Sequence, residues 1–427
     1  MVRTLSVLGG ILRTLRVEVL FLKEERMKIS HISSRILVMP EADPLANSPE
    51  NPNAARPIVI VRMGTDDGIE GIAVTFYGGA VTRSLKAAVD GLGGLTIGED
   101  PLRPEAITAK LRAAAGGSGP AGMFTLALSA IDIALWDIRG KALNQPLWKL
   151  LGGVRERVAT YASGSLRRNL SLDEVVTAAG RLKEKGFREA KMQLALPGPT
   201  TPAKEVERAR VVRGALGPDI KLMCDINQRW RPEEAIDIGR RVEDAGVGLF
   251  WLEDVTTHDD YAGIARVNAA LATPICGGEL VYGIVPFRHM IEARSVDYVM
   301  IDLIRVGGIT QWMKVAGMAE AFNLPVVSHV IAEIRPSRSG CAQRAHCRIH
   351  GLDAEPVRRR RRARRWRNCF AGPPRPRSHL QRRDDHAVCC VTGASPAREF
   401  DRCSDTCLSA SKTSPALLRS TTRYWHR

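Results

Sequence analysis

The 427-residue chain has no run of about 18 uncharged apolar residues, so nothing in it reads as a membrane-spanning helix. Cysteine is nearly absent from residues 1–334, where only Cys224 and Cys276 occur. Two cysteines in so long a body fit a reducing cytosolic setting better than a disulfide framework. The first 26 residues hold an Arg-containing, mildly apolar stretch with no small-residue cleavage site after it, which argues against a secretory signal. Met27 opens a cleaner strand-like run and is read as the natural start, with residues 1–26 as an upstream extension.

The formal charge of +16 suggests nucleic-acid binding until its position is considered. Residues 1–334 carry 40 Lys and Arg against 39 Asp and Glu, whereas residues 335–427 carry 22 against 7. The body is electrically balanced, and the excess sits in the last 93 residues, with 21 Arg, one Lys and no sustained periodicity. That tail reads as a solvated segment, a basic arm, or translation out of frame. The last reading is favoured, and no nucleic-acid partner is expected.

Two patterns divide the body. In residues 27–153, strand-like runs near 28–38, 58–63 and 71–74 precede a helix over 126–141, whose apolar face includes Ala127, Ala130, Ile131, Ala134 and Leu135. From 154 to 334, short apolar runs alternate with amphipathic ones. Strands are predicted at 159–162, 189–193, 221–226, 249–253, 274–279, 298–302 and 325–329, with helices at 172–185, 203–216, 232–245, 261–270, 286–293 and 309–322. Such alternation implies a parallel sheet, and seven units at this spacing point to a (β/α)8-type TIM barrel preceded by an N-terminal α+β region. An eighth strand is not readable in the Arg-rich text after Ile334 and is expected to be lost.

The chemistry lies at predicted strand ends. Asp225, Glu253 and Glu279 each close an apolar run, and their separations of 28 and 26 residues each equal one β/α unit. Three carboxylates on consecutive strands would converge at the C-terminal mouth of a barrel and repel one another unless a cation neutralises them. Hard oxygen ligands suit Mg²⁺. Asp302 and His329 end the next two strands, where the carboxylate can orient the imidazole as a general base. Lys191, on the second strand, faces the same mouth, where it could bind or polarise a substrate.

Several stretches together resemble one family. Ala130-Ile131-Asp132-Ile133-Ala134-Leu135-Trp136-Asp137-Ile138-Arg139-Gly140-Lys141 is similar to the signature helix of mandelate racemase and muconate lactonizing enzymes of the enolase superfamily. Asp225-Ile226-Asn227-Gln228, Trp251-Leu252-Glu253, Gly278-Glu279, the run from Asp302 to Thr310, and Ser328-His329 match its mandelate racemase group in order and spacing. The resemblance implies a small-molecule carboxylate substrate, Mg²⁺ on Asp225, Glu253 and Glu279, and catalysis by His329, Asp302 and Lys191 through an enediolate. It also implies that residues 27–153 form an α+β capping domain packed on the barrel mouth, with substrate contacts from Gln193 and Asn227, selectivity from loops 40–57 and 76–80, and a homo-oligomer.

The resemblance favours an acid-sugar dehydratase. A racemase or epimerase is the alternative, disfavoured because Gln193 stands where the family often has a second lysine base. Val255 replaces the proline often found after the glutamate pair, and no strand-eight acid can be assigned. A one-base shift at codon 335 permits codons for an Ala-His-Leu-Val-Ala-Ala-Val-Pro string similar to the family's end. As written, the chain could therefore be an inactive product whose barrel stays open.

Overall fold

The structure, a computed structural model, describes residues 27–40, 55–119, 121–153, 158–329 and 346–350. The expected upstream extension, most of loop 40–57 and most of the basic tail lie outside the described residues.

Three antiparallel strands in the order β1 (Ile29–Pro40), β2 (Ala55–Thr65) and β3 (Glu70–Thr75) form the sheet of the cap. Alternation along β2 buries Val59, Val61 and Met63 on one face, as period-2 side-chain placement requires. Helices α1 (Thr82–Gly94), α2 (Pro104–Ala115), α3 (Met123–Ala142) and α4 (Leu147–Leu150) follow. Most of α3 is buried, which explains why it is apolar nearly all round rather than on one stripe.

The barrel strands are β4 (Ala159–Leu166), β5 (Glu189–Gln193), β6 (Lys221–Asp225), β7 (Leu249–Glu253), β8 (Ile275–Gly277), β9 (Tyr298–Asp302) and β10 (Val326–His329). Between them run α5 (Leu172–Glu184), α6 (Pro202–Leu216), α7 (Pro232–Asp244), α8 (Tyr261–Ala270), α9 (Val285–Glu292) and α10 (Ile309–Ala321). Local chemistry sets the helix starts. Ser171 and Glu174 form a reciprocal capping box on α5, with bonds of 3.2 and 2.8 Å. Asp260 caps α8 through the Gly263 amide at 2.8 Å, a device worth about 1 kcal/mol.

One expectation is overturned. A strand β11 (His346–His350) pairs in parallel with both β10 and β4, and the ring closes with eight strands in the order β10-β11-β4-β5-β6-β7-β8-β9. The rungs run from His346↔Ala159 to His350↔Ser163 on one side and include Val327↔His346 on the other. Ladder bonds are made by backbone N–H and C=O groups, so a five-residue run without proline or glycine can supply a rung even where its sequence is unlike the family's. The lost eighth strand, and the open barrel argued from it, are therefore corrected.

The signature helix acquires a physical role here. Asp132 on α3 accepts the Thr310 amide at 3.0 Å, covering an orphan N–H in the first turn of α10 from outside that helix. A Cβ on Gly308, whose φ is +99°, would lie 2.4 Å from that carboxylate, so only glycine fits there. Trp136 adds a bond to the Thr310 hydroxyl at 2.9 Å, and Asp137 accepts the Ile72 amide at 2.8 Å, tying α3 to the cap sheet. Burial pushes the Asp132 carboxyl up to about 7, against the bonds from Thr310 and Ile309 that favour its charged form. The folded protein thus holds a proton that the unfolded chain releases above about pH 4. Asp132 should therefore make stability fall by about 1.4 kcal/mol per pH unit as pH rises from about 4 to 7. Denaturant melts of the wild type and Asp132→Asn across that window should differ in slope by about that amount. Parallel pH profiles would sink the assignment.

Candidate metal and proton-transfer site

The barrel interior places the site. Tyr161, Met223, Trp251, Cys276, Met300 and Val327 are fully buried and form one cluster from six strands. Two residues further along four of those strands stand Asp225, Glu253, Asp302 and His329. Side chains two apart share a strand face, so the same phase that fills the barrel aims these groups at its mouth. The rungs Asp225↔Glu253 and His329↔Asp302 hold them level. Glu279 differs in origin. Strand β8 stops at Gly277, and Glu279 follows Gly278, whose φ of +120° and close approach to the Met300 carbonyl exclude any Cβ.

Asp225, Glu253 and Glu279 each offer a carboxylate oxygen, all within 4.8 Å of one another, and all three are buried. Lys191 answers their charge from below: its Nζ bonds Glu253 Oε1 and lies 3.3 Å from Asp225 Oδ2. Trp251 Nε1 donates to the other Glu253 oxygen at 3.0 Å, and the Asn227 amide donates to Asp225 Oδ1 at 2.8 Å. The surplus of negative charge is felt by Asp254. Burial and then the charges of Glu279, Asp225 and Glu253 push its carboxyl well above the usual range. Buried, closely spaced, all-oxygen donors of this kind fit a hard divalent cation.

His329 and Asp302 form a pair, with Nδ1 2.6 Å from Asp302 Oδ2, while Nε2 is 2.8 Å from Glu279 Oε2. Burial opposes the Asp302 charge, but the His329 bond and the charges of His329 and Arg305 outweigh it and hold the carboxyl below its usual range. An ionised Asp302 selects the tautomer with hydrogen on Nδ1 and turns Nε2 toward the carboxylate cluster. Gln193 and Asn227 meet on the opposite side, where Gln193 Nε2 donates to Asn227 Oδ1 at 3.2 Å. Each residue singled out from the sequence therefore lies at one barrel mouth.

Three residues of the mouth were not singled out. Arg168, just past β4, bonds Asn227 Oδ1 and donates to the Ile226 carbonyl at 3.3 Å. Tyr77, from the cap, donates to Asp302 Oδ2 at 2.7 Å, and Arg305 lies over the Tyr77 ring at 3.6 Å. Arg305 stands within the Asp302–Thr310 run and Tyr77 within loop 76–80, so both were inside legible segments. Their reach across the fold was not. Asn227 and Gln228 after β6 and Asp254 after β7 have positive φ, and such strain beside two strand ends is typical of functional sites.

This fold and this set of strand-end groups define a member of the enolase superfamily. The Enolase C-terminal domain-like family matches residues 174–394, and the Mandelate racemase / muconate lactonizing enzyme N-terminal domain matches residues 36–152. The chain belongs to the mandelate racemase/muconate lactonizing enzyme family. It is 31% identical over 312 residues to an L-talarate/galactarate dehydratase of Salmonella typhimurium, covering 72% of this chain and 77% of that protein. It is 32% identical over 300 residues to a 3,6-anhydro-alpha-L-galactonate cycloisomerase of Streptomyces coelicolor, covering 69% and 81%. A solved L-talarate dehydratase from Polaromonas sp. JS666, complexed with Mg and L-glucarate, superposes with a TM-score of 0.69 at 26% identity, covering 76% of this chain and 86% of that one. No helix among the described residues is long and apolar enough to cross a membrane.

Proposed function

We propose that this chain is a Mg²⁺-dependent dehydratase of an acid sugar or related hydroxy acid, working by removal of the proton α to the carboxylate. The observation that carries the reading is the junction of a three-carboxylate cluster with the His329–Asp302 pair through the 2.8 Å approach of His329 Nε2 to Glu279. Asp225, Glu253 and Glu279 would hold the cation, which supplies positive charge that acidifies the α-carbon of a bound carboxylate. His329 takes the proton on Nε2, and Asp302 holds the ring and favours the imidazolium that results. Lys191 aims its ammonium where negative charge gathers on the carboxylate oxygens. Gln193 and Asn227 would meet the substrate hydroxyls. The proton held on His329 Nε2 is passed to the β-hydroxyl, which departs as water and leaves an enol that becomes a 2-keto-3-deoxy acid.

Gln193 decides between dehydration and racemisation. An amide cannot accept the proton from the second face, so Gln193 does not supply the second base that a racemase needs opposite His329. Incubated in D₂O with a panel of C5 and C6 sugar acids and Mg²⁺, the protein should exchange the α-hydrogen from one face only and release a 2-keto-3-deoxy product detectable by mass loss of one water. Equal exchange of both α-epimers without loss of water would reject the reading in favour of a racemase.

A further inference from the structure

Asp302 is saturated with donors. Its Oδ1 accepts the amides of Ile304 and Arg305 at 2.9 and 2.8 Å, and its Oδ2 faces His329 Nδ1 at 2.6 Å and the Tyr77 hydroxyl at 2.7 Å. The first three partners come from the barrel. The fourth comes from the cap, 225 residues away in sequence. Tyr77 is held with unusual firmness for a loop residue. Its φ of +73° is costly for a bulky aromatic side chain and persists only where surrounding contacts over-determine it. Those contacts are visible: Arg305 lies over one ring face, Phe76 packs with a centroid distance of 4.4 Å, and the hydroxyl ends on Asp302. Arg305 in turn donates to the Glu279 carbonyl at 2.9 Å.

We propose that Tyr77 is a positioning residue that couples the seating of the cap loop to the orientation of the His329–Asp302 pair. With the loop seated, the phenol and the imidazole share Asp302 Oδ2, and the carboxylate cannot rotate away from the ring. With the loop lifted, that oxygen loses one of its two side-chain donors, and the Arg305 guanidinium loses the aromatic face it covers. Proton removal is thereby favoured when the cap is closed over the mouth, where water is excluded. The proposal rests on the reading of His329 as the base.

Tyr77→Phe separates the hydroxyl from the ring, because the stacking on Arg305 remains. In ¹⁵N-histidine-labelled, chelator-treated protein, the His329 Nδ1–H proton, assigned by its absence in His329→Asn, should move downfield, since Oδ2 is left to one donor and bonds it more strongly. In the Mg²⁺-loaded enzyme, kcat for α-hydrogen exchange should fall by about 10- to 100-fold, the usual loss for a group one shell removed, with KM changed by less than about threefold. An unshifted proton, or a shifted proton with unchanged kcat, overturns the coupling. If instead His329→Asn leaves exchange intact, the base assignment has failed, and the proton shift alone then reports on the contact between Tyr77 and Asp302.

Discussion

His329→Asn should lower α-hydrogen exchange by roughly 10²- to 10⁴-fold, the range that a positioned general base contributes. Asparagine can still offer an N–H to Asp302, so the carboxylate is not left bare, but it has no lone pair able to take a proton. Cation affinity should be unchanged or slightly higher, because His329 Nε2 at 2.8 Å is a competing partner of Glu279 and the substitution removes it. The two readouts move apart, and that separation distinguishes loss of a base from loss of a fold. Calorimetric titration with Mg²⁺ and D₂O exchange on one preparation measure both. Exchange retained within a factor of a few would move the base to another group, with Lys191 the next candidate by position.

The cation site makes the second large prediction. Treatment with EDTA should abolish activity and Mg²⁺ should restore it, whereas Asp225→Asn should raise the Mg²⁺ dissociation constant by at least about tenfold. Partners that merely hold a ligand in place are worth 10- to 100-fold in affinity, and Asp225 is itself a proposed ligand that would lose its charge. The amide keeps an oxygen for the Asn227 N–H now bonded at 2.8 Å, so the turn after β6 should persist and the melting transition should move little. Lys191 should be affected too, since one of its two anionic neighbours becomes neutral. Full activity in rigorously metal-free buffer would end the assignment.

Much of this site is legible in the sequence. Asp225, Glu253, Asp302 and His329 are polar residues that interrupt apolar runs, and a polar residue at the end of a buried strand must have a reason to be there. The helix starts were legible because Ser171, Pro202 and Pro232 carry local chemistry that acts within one turn. Strand β8 ends sooner than the apolar run that marks it, because Gly277-Gly278 lets the chain leave the sheet before Glu279. The eighth strand was illegible for another reason. His346–His350 contains little apolar alternation, and its place in the ring is set by neighbours β10 and β4 rather than by its own pattern. Tyr77, Arg168 and Arg305 are not legible as site residues because their contacts join segments far apart in the chain, and sequence periodicity carries no information on such reach.

The bond from Asp132 to the first turn of α10 has a consequence for how such proteins diversify. The eight residues from Asp302 to Ile309 span the interval between the dyad and that helix start, so the turn carrying Asp302 and Arg305 is anchored at its far end by the cap. Cap and barrel are therefore poor interchangeable parts. A chimera that grafts a cap from one relative onto the barrel of another would have to preserve the fit of Asp132 against Gly308, or the new selectivity would arrive with a loosened His329–Asp302 pair. Variation in substrate range is easiest in loops that touch neither partner of that joint.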